Sequence, residues 1–269
     1  MPVTDIPLID PLSTPWKPWL TLDQVAAQLQ TQWGGAREGD RYTWTDSTVY
    51  YSIVRDGLAP QDTVTPMRDE AAAFSSRFMT DLMYGRAQLA FELWDDLIAI
   101  DLTPSPTNAR SGHVITFAYQ NDHNPDTHDT YTPFTDNGIR PFRGLHEYAI
   151  NSRQVWMGSG AMDSAVNSDA GFDFGDKGFQ TYLHEIGNAL GLSHPGSYDS
   201  FTGGATYAAD AEYIQDTQQY TLMSYFRPDI DHIGSDGLWS FAATPLLHDI
   251  VAIQDKYGAD MTTRTGNTV

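Results

Sequence analysis

The stretch 178–196 constrains this chain more than any other, because it combines a helical repeat of apolar residues with titratable side chains. Its apolar residues recur at steps of three and four, which predicts a helix with one buried face. Those residues are Phe179, Tyr182, Leu183, Ile186 and Leu190. Residue 188 would then lie one turn after His184 and point the same way. The sequence therefore predicts that positions 184 and 188 share one surface of the helix.

A glycine is placed to return the chain to that surface. Gly191 can take a left-handed conformation that residues with a Cβ resist, so His194 can come back toward His184. Two imidazoles and the carboxylate of Glu185 are expected to converge. Helical histidines one turn apart hold zinc, and a Glu beside the first lies next to the water that zinc activates. Here the residue one turn after His184 is Asn188.

The pattern resembles the metzincin zinc signature, His-Glu-x-x-His-x-x-Gly-x-x-His, at every fixed position except the second His, which is Asn188. Downstream, the segment 222–225 is similar to the Met-containing turn that metzincins place beneath the metal, with Met223 as its methionine. A Met in an apolar turn is more often a core residue. Because Met223 follows the helix that carries the zinc signature, it indicates the metzincin turn instead.

The resemblance narrows to the serralysin family of secreted bacterial metzincins. Similar segments occur in the family's order at 184–187, 189–196, 216–226, 245–254 and 257–259. The resemblance implies zinc ligands at His184, position 188 and His194. It also implies Glu185 as general base, Tyr225 as an extra metal ligand or oxyanion stabiliser, and Met223 as a structural residue. The activity implied is zinc-dependent hydrolysis of peptide bonds in protein or peptide substrates.

The fold class implied is α+β: a metzincin-like domain with a twisted mixed sheet, long helices, an active-site helix and a Met-turn. Residue patterns predict helices over 21–33, 65–99 and 244–257, and strands over 48–54, 98–103, 113–119 and, more weakly, 148–157. The stretch 65–99 fits one long helix or two, with Gly85 marking the break. Thr21 and Thr244 are the expected helix caps, Pro245 suits the first turn of the last helix and Gly258 ends it.

Three segments are expected along the chain. Prolines at positions 2, 7, 11, 15 and 18 predict an extended leader or pro-segment over 1–20. The protease-like domain covers 21–259. Residues 260–269 resemble the start of a linker to a calcium-binding β-roll that this chain does not contain, and the resemblance implies a calcium site on the backbone of Arg264, Gly266 and Thr268.

Composition limits the partners. A net charge of −20 argues against nucleic acid, because phosphate binding depends on a basic surface. With no cysteine, the chain has no disulfides. We find neither a signal peptide nor a run long enough to span a bilayer. By resemblance, we expect an extracellular monomer, secreted through a C-terminal type I signal outside this chain. A proteinaceous inhibitor is a further expected partner.

The stretch 120–130 concentrates metal-binding side chains, namely Asp122, His123, Asp126, His128 and Asp129. Closely spaced Asn, Pro and Asp are typical of a polar surface loop. A second metal site is the alternative.

Asn188 separates two functional hypotheses. In the first, the chain is a zinc endopeptidase weakened by a carboxamide where the metal prefers an imidazole. In the second, it is a catalytically dead pseudoprotease whose cleft still binds a polypeptide or an inhibitor. The intact Glu185, His194, Met223 and Tyr225 favour an ancestral catalytic site with one isolated change.

Overall fold

The computed structural model describes residues 17–31, 40–55, 79–105, 114–119, 129–131, 139–141, 147–157, 171–198, 204–228 and 240–263. These residues form helices α1 Leu22–Thr31, α2 Asp81–Asp95, α3 Lys177–Ala189, α4 Tyr207–Asp210 and α5 Leu247–Tyr257. The strands are β1 Arg41–Trp44, β2 Thr48–Ile53, β3 Asp101–Pro104, β4 Val114–Tyr119, β5 Asp129–Tyr131, β6 Ile139–Pro141, β7 Glu147–Ile150 and β8 Ser152–Met157.

The strands form two mixed sheets. The larger sheet has the order β3-β2-β4-β8-β5, in which β5 alone runs antiparallel to its neighbour. The smaller sheet has the order β1-β7-β6, with β1 parallel and β6 antiparallel to β7. Helices combined with mixed sheets fit the α+β class that the sequence predicted, but the described strands form two sheets rather than the single sheet expected.

Helix α2 joins the larger sheet to α3. Its buried residues Met83, Ala87, Ala90, Phe91 and Trp94 follow the helical repeat. Phe91 stacks on Tyr51 of β2 with ring centroids 4.1 Å apart. On the other side, the indole of Trp94 donates a hydrogen bond to the carbonyl of Leu183 at 3.0 Å. Burying each such aromatic side chain contributes about 1.5–3 kcal/mol, so α3 is held firmly against the core.

Several predicted elements are confirmed, with shifted ends. Helix α1 carries the expected Thr21 cap, whose hydroxyl accepts from the amide of Gln24. Strands β2 and β4 lie where the residue pattern placed them. Strand β3 begins at Asp101 rather than residue 98, because Ile98 instead makes an isolated bridge to Ala259.

The helix predicted over 65–99 is corrected. Thr80 has an extended backbone, and its hydroxyl caps α2 by accepting from the amide of Met83. Helix α2 therefore begins at Asp81, runs through Gly85 without a break and ends at Asp95, so Gly85 does not divide a helix and residues 96–99 are not helical. Residues 56–78 lie outside the described part of the chain.

Two further predictions are wrong in detail. The single strand predicted over 148–157 is two strands, β7 and β8, which belong to different sheets and are separated by Asn151. Thr244 is not the cap of α5, which begins at Leu247. The carboxylate of Asp249 caps it instead, by accepting from the amide of Leu246. Gly258 ends the helix at φ 80°, as predicted.

Some predictions fall outside the described residues. They include residues 1–16 of the predicted leader, the stretch 120–128, and the calcium-site residues Arg264, Gly266 and Thr268. Within the described ranges, no helix is both long and apolar enough to cross a membrane.

Candidate metal centre

Helix α3 is buried along almost its whole length. Phe179, Leu183 and Ile186 are fully enclosed by the core. His184 and Asn188 are each 9% exposed and Glu185 is 3% exposed. Burying these polar groups is costly unless they are hydrogen-bonded, so their partners decide what the site can do.

The first imidazole is fixed from behind. The Nδ1 atom of His184 lies 2.9 Å from the carbonyl oxygen of Leu222. A carbonyl can only accept, so Nδ1 carries a proton, and in the neutral ring Nε2 then presents a lone pair. Leu222 belongs to the predicted Met-containing segment, which the structure shows as a turn passing His184.

The chain reversal at Gly191 brings the second imidazole to the same place. Gly191 has φ 89°, and a Cβ there would lie 2.2 Å from the carbonyl oxygen of Tyr42. Only glycine fits this close approach. After the reversal, the amide of Ser193 donates to Leu29 at 2.7 Å, which anchors the segment to α1. Nδ1 of His194 lies 2.9 Å from the carbonyl oxygen of Tyr198, so its Nε2 also presents a lone pair.

The two Nε2 atoms of His184 and His194 are 3.3 Å apart. If both rings are neutral, neither nitrogen has a proton to share and two lone pairs face each other. A zinc ion with Zn–N bonds of about 2.0–2.1 Å at the tetrahedral angle would separate two nitrogens by roughly 3.3–3.4 Å. The imidazole pair therefore fits zinc in both orientation and spacing.

Position 188 does not complete the ligand set. Asn188 offers a neutral carboxamide, a poorer zinc ligand than an imidazole. Among the described residues, no group of three or more His, Cys, Asp or Glu side chains is placed to hold a metal ion. The donor set thus fits zinc at two positions and is deficient at the third.

Glu185 lies beside the imidazole pair. Its Oε1 atom is 3.9 Å from Nε2 of His184. Its Oε2 atom accepts a long hydrogen bond, 3.4 Å, from the side-chain amide of Asn188. The residue at the deficient position therefore contacts the carboxylate that the sequence pattern nominated as general base.

Tyr225 and Met223 lie on the turn that passes under the site. The ring centroid of Tyr225 is 4.6 Å from that of His194 and 6.1 Å from that of His184. Met223 is fully buried, and a Cβ on Gly187 of α3 would come within 3.1 Å of its sulfur. The structure thus brings all the predicted zinc-site residues together.

Sequence reasoning missed a buried carboxylate behind the turn. Asp249 of α5 accepts hydrogen bonds from the hydroxyl of Thr221 and the amides of Leu222 and Leu246. Burial raises the pKa of this carboxyl to about 6, although these hydrogen bonds oppose the rise. An Asp on an otherwise apolar helix stripe was the available signal. The sequence analysis also missed the burial of Asp216, which is described below.

Comparison with known proteins shows the class of protein to which this chain is similar. No family model matches it. Metalloprotease AprA of Pseudomonas entomophila (strain L48) is 34% identical over 94% of this chain and 47% of its own length. Serralysin B of Dickeya chrysanthemi is 29% identical over 97% of this chain and 49% of its own length. A serralysin of Photorhabdus sp. (strain Az29) is 47% identical over 68% of this chain and 34% of its own length.

Nearly the whole chain is therefore similar to metalloproteases. More particularly, the relatives are serralysins and the AprA metalloproteases. The chain spans about half the length of the first two relatives.

Proposed function

We propose that this chain is the catalytic domain of a secreted, serralysin-type zinc endopeptidase whose metal affinity and activity are reduced by Asn188. The observation that carries the proposal is the pair of imidazoles with Nε2 atoms 3.3 Å apart. Similarity to metalloproteases over 94% of the chain supports it independently.

Each residue then has a chemical role on a protein or peptide substrate. His184 and His194 would hold zinc, which supplies a Lewis acid that polarises the scissile carbonyl and acidifies water. Glu185 accepts the proton of the attacking water and later delivers it to the leaving amine. Tyr225, from the turn beside His194, stabilises the oxyanion by donating a hydrogen bond from its phenol hydroxyl.

Asn188 weakens this machinery in two ways. It replaces a strong ligand with a weak one, and even losses outside the ligand set typically cost about 10–100-fold in metal affinity. It also donates a hydrogen bond to Glu185, which holds the general base toward the helix instead of leaving it for water. Both effects lower turnover, so we expect slow cleavage at ordinary zinc concentrations.

The deciding experiment compares the chain with Asn188→His and Asn188→Ala by zinc titration and casein hydrolysis. The His variant adds a ligand and removes the contact with Glu185, whereas the Ala variant only removes the contact. We expect the His variant to bind zinc at least about 10-fold more tightly and to gain chelator-sensitive activity. The Ala variant should bind zinc no better than the parent.

Equal zinc affinity and equal activity in parent and Asn188→His would show that position 188 is not part of the metal site. Tight zinc binding in both with activity in neither would favour the pseudoprotease. Adding Glu185→Ala to the His variant supplies the control, since it should abolish hydrolysis while zinc binding persists.

Other properties extend from the resemblance and are also proposals. We infer secretion to the extracellular space, a monomeric state and inhibition by a protein that occupies the cleft. Calcium on the backbone of Arg264, Gly266 and Thr268 stays a prediction. Assay of the culture medium, sedimentation and calcium dialysis test these properties separately.

A further inference from the structure

Tyr198 contacts the imidazole of His194 in two ways. Its carbonyl oxygen accepts the proton on Nδ1 at 2.9 Å. Its ring stacks on the imidazole, with centroids 5.7 Å apart and planes inclined by 8°. Tyr198 thus contacts both the Nδ1 atom and the ring face of His194, whose ring also contacts Tyr225 at 4.6 Å.

Tyr198 is itself held from behind by a carboxylate. The ring is 3% exposed, and its hydroxyl donates to Oδ1 of Asp216 at 2.7 Å. Asp216 is fully buried. Phe226 packs edge-on against the same tyrosine ring, with centroids 4.9 Å apart. The tyrosine therefore has contacts at its carbonyl, ring face and hydroxyl.

A buried carboxylate is costly, so the hydrogen bond it accepts matters. Burial raises the pKa of Asp216 to about 7, against the lowering effects of hydrogen bonds with Tyr198, the larger, and Ser224. The other carboxylate oxygen, Oδ2, has no hydrogen-bond partner within the described ranges. The Tyr198 hydroxyl is thus a principal compensation for burying this group, which keeps the tyrosine in place.

We propose that Tyr198 and Asp216 are positioning residues for His194. The hydrogen bond between them fixes the tyrosine, and the tyrosine fixes the Nδ1-protonated tautomer and the direction in which Nε2 points. As a contribution to metal binding, this inference rests on the proposed zinc site. As a statement about the orientation of His194, it holds in the metal-free protein too.

The test uses Tyr198→Phe, which removes the hydroxyl but keeps the ring and carbonyl. Tyr213→Phe is the matched control. Tyr213 is also fully buried and interacts electrostatically with Asp216, but its hydroxyl has no hydrogen-bond partner among the described residues. Nitrogen-15 NMR of the metal-free imidazoles reports the tautomer of each histidine, and zinc titration reports affinity.

We expect Tyr198→Phe to mix the tautomers of His194 while leaving those of His184 unchanged, and to weaken zinc binding by about 10-fold. Tyr213→Phe should change neither measurement. Asp216→Asn keeps an acceptor for Tyr198 and should preserve the parent spectrum, whereas Asp216→Leu should reproduce the effect of Tyr198→Phe.

An unchanged His194 spectrum in both Tyr198→Phe and Asp216→Leu would overturn the inference. So would equal effects of the Tyr198 and Tyr213 variants. If Tyr198→Phe fails to fold, the His194 spectra of Asp216→Asn and Asp216→Leu are compared instead. A parent-like spectrum in the Asn variant and mixed tautomers in the Leu variant would support the inference, and identical spectra would overturn it. If the parent and Asn188→His both fail to bind zinc, the proposed function is wrong, and the metal-free spectra still decide the positioning.

Discussion

The two imidazoles of the candidate metal centre have the same immediate support but different support behind it. Each Nδ1 atom lies 2.9 Å from a backbone carbonyl, that of Leu222 for His184 and that of Tyr198 for His194. Behind the first carbonyl, Asp249 binds two backbone amides and a hydroxyl. Behind the second, Asp216 binds a tyrosine hydroxyl.

The difference shows two ways to orient a ligand. On the side of His184, which we call the turn side, the carboxylate of Asp249 accepts from the backbone amide of Leu222, the residue whose carbonyl orients the imidazole. On the side of His194, which we call the loop side, Asp216 instead fixes the side chain of Tyr198. The backbone carbonyl of the same tyrosine is the acceptor for Nδ1 of His194. Three donors offset the burial of Asp249 more fully than the hydroxyls of Tyr198 and Ser224 offset that of Asp216, consistent with pKa values of about 6 and about 7.

The largest effect should come from breaking the turn side. Asp249→Ala leaves a hydroxyl and two buried amides without their acceptor, and we expect a loss of about 3–5 kcal/mol in unfolding free energy. Asp216→Ala removes the acceptor of the Tyr198 hydroxyl and a weaker interaction with Ser224, and it should cost about 1–2 kcal/mol. Urea unfolding of both variants measures the difference between the two losses of unfolding free energy. Equal losses would show that the two supports are equivalent.

A glycine substitution should disturb the loop side alone. Gly191→Ala forces a Cβ against the carbonyl of Tyr42 at positive φ, and we expect it to cost about 3 kcal/mol and to displace His194. Gly204→Ala is the control, because Gly204 has φ 79° with no atom within 4 Å of the added Cβ. It should cost about 1 kcal/mol. A Gly191 variant as stable as the Gly204 variant would contradict the observed close approach.

The smallest effect is a pH dependence that distinguishes the two carboxylates. The pKa of Asp216 in the folded protein, about 7, lies above its ordinary value of 3.8, so the folded state binds the extra proton. Stability from this group is complete below pH 4 and is lost as pH rises through 7, with a slope of at most about 1.4 kcal/mol per pH unit.

Asp216→Asn should remove that component of the slope, and Asp249→Asn should remove one that ends near pH 6. Urea midpoints between pH 4.5 and 7.5 give both differences. A parent and Asp216→Asn with parallel profiles would mean that Asp216 does not titrate in this range.

The parts of the structure that could be predicted from the sequence are those determined by the local pattern of residue types. Helix α3, the reversal at Gly191 and the convergence of His184 with His194 all follow from residues close together in the chain. The division of 148–157 into β7 and β8 did not follow, because it depends on which sheet each half joins.

The supports behind the imidazoles were beyond the reach of local pattern. The Tyr198–Asp216 hydrogen bond joins residues 18 apart, and the hydrogen bond from the Leu222 amide to Asp249 joins residues 27 apart. The apolar stripe of α5 was a local sign that Asp249 is buried, but nothing in the neighbouring residues identifies the hydrogen-bond partners of either carboxylate. Their positions are set by tertiary packing.

The anchoring of the His194 segment to α1 determines when the site forms during folding. The hydroxyl of Ser193 donates to the carbonyl of Gln28, which closes a loop spanning 165 residues. Contacts this distant in sequence require loop closure before they contribute any stability, and they tend to form late. The residue pattern of α3 is local, but the hydrogen bonds that anchor the His194 segment form only once α1 has packed against it. The metal centre is therefore an outcome of completed folding, and a partly folded chain does not yet possess it.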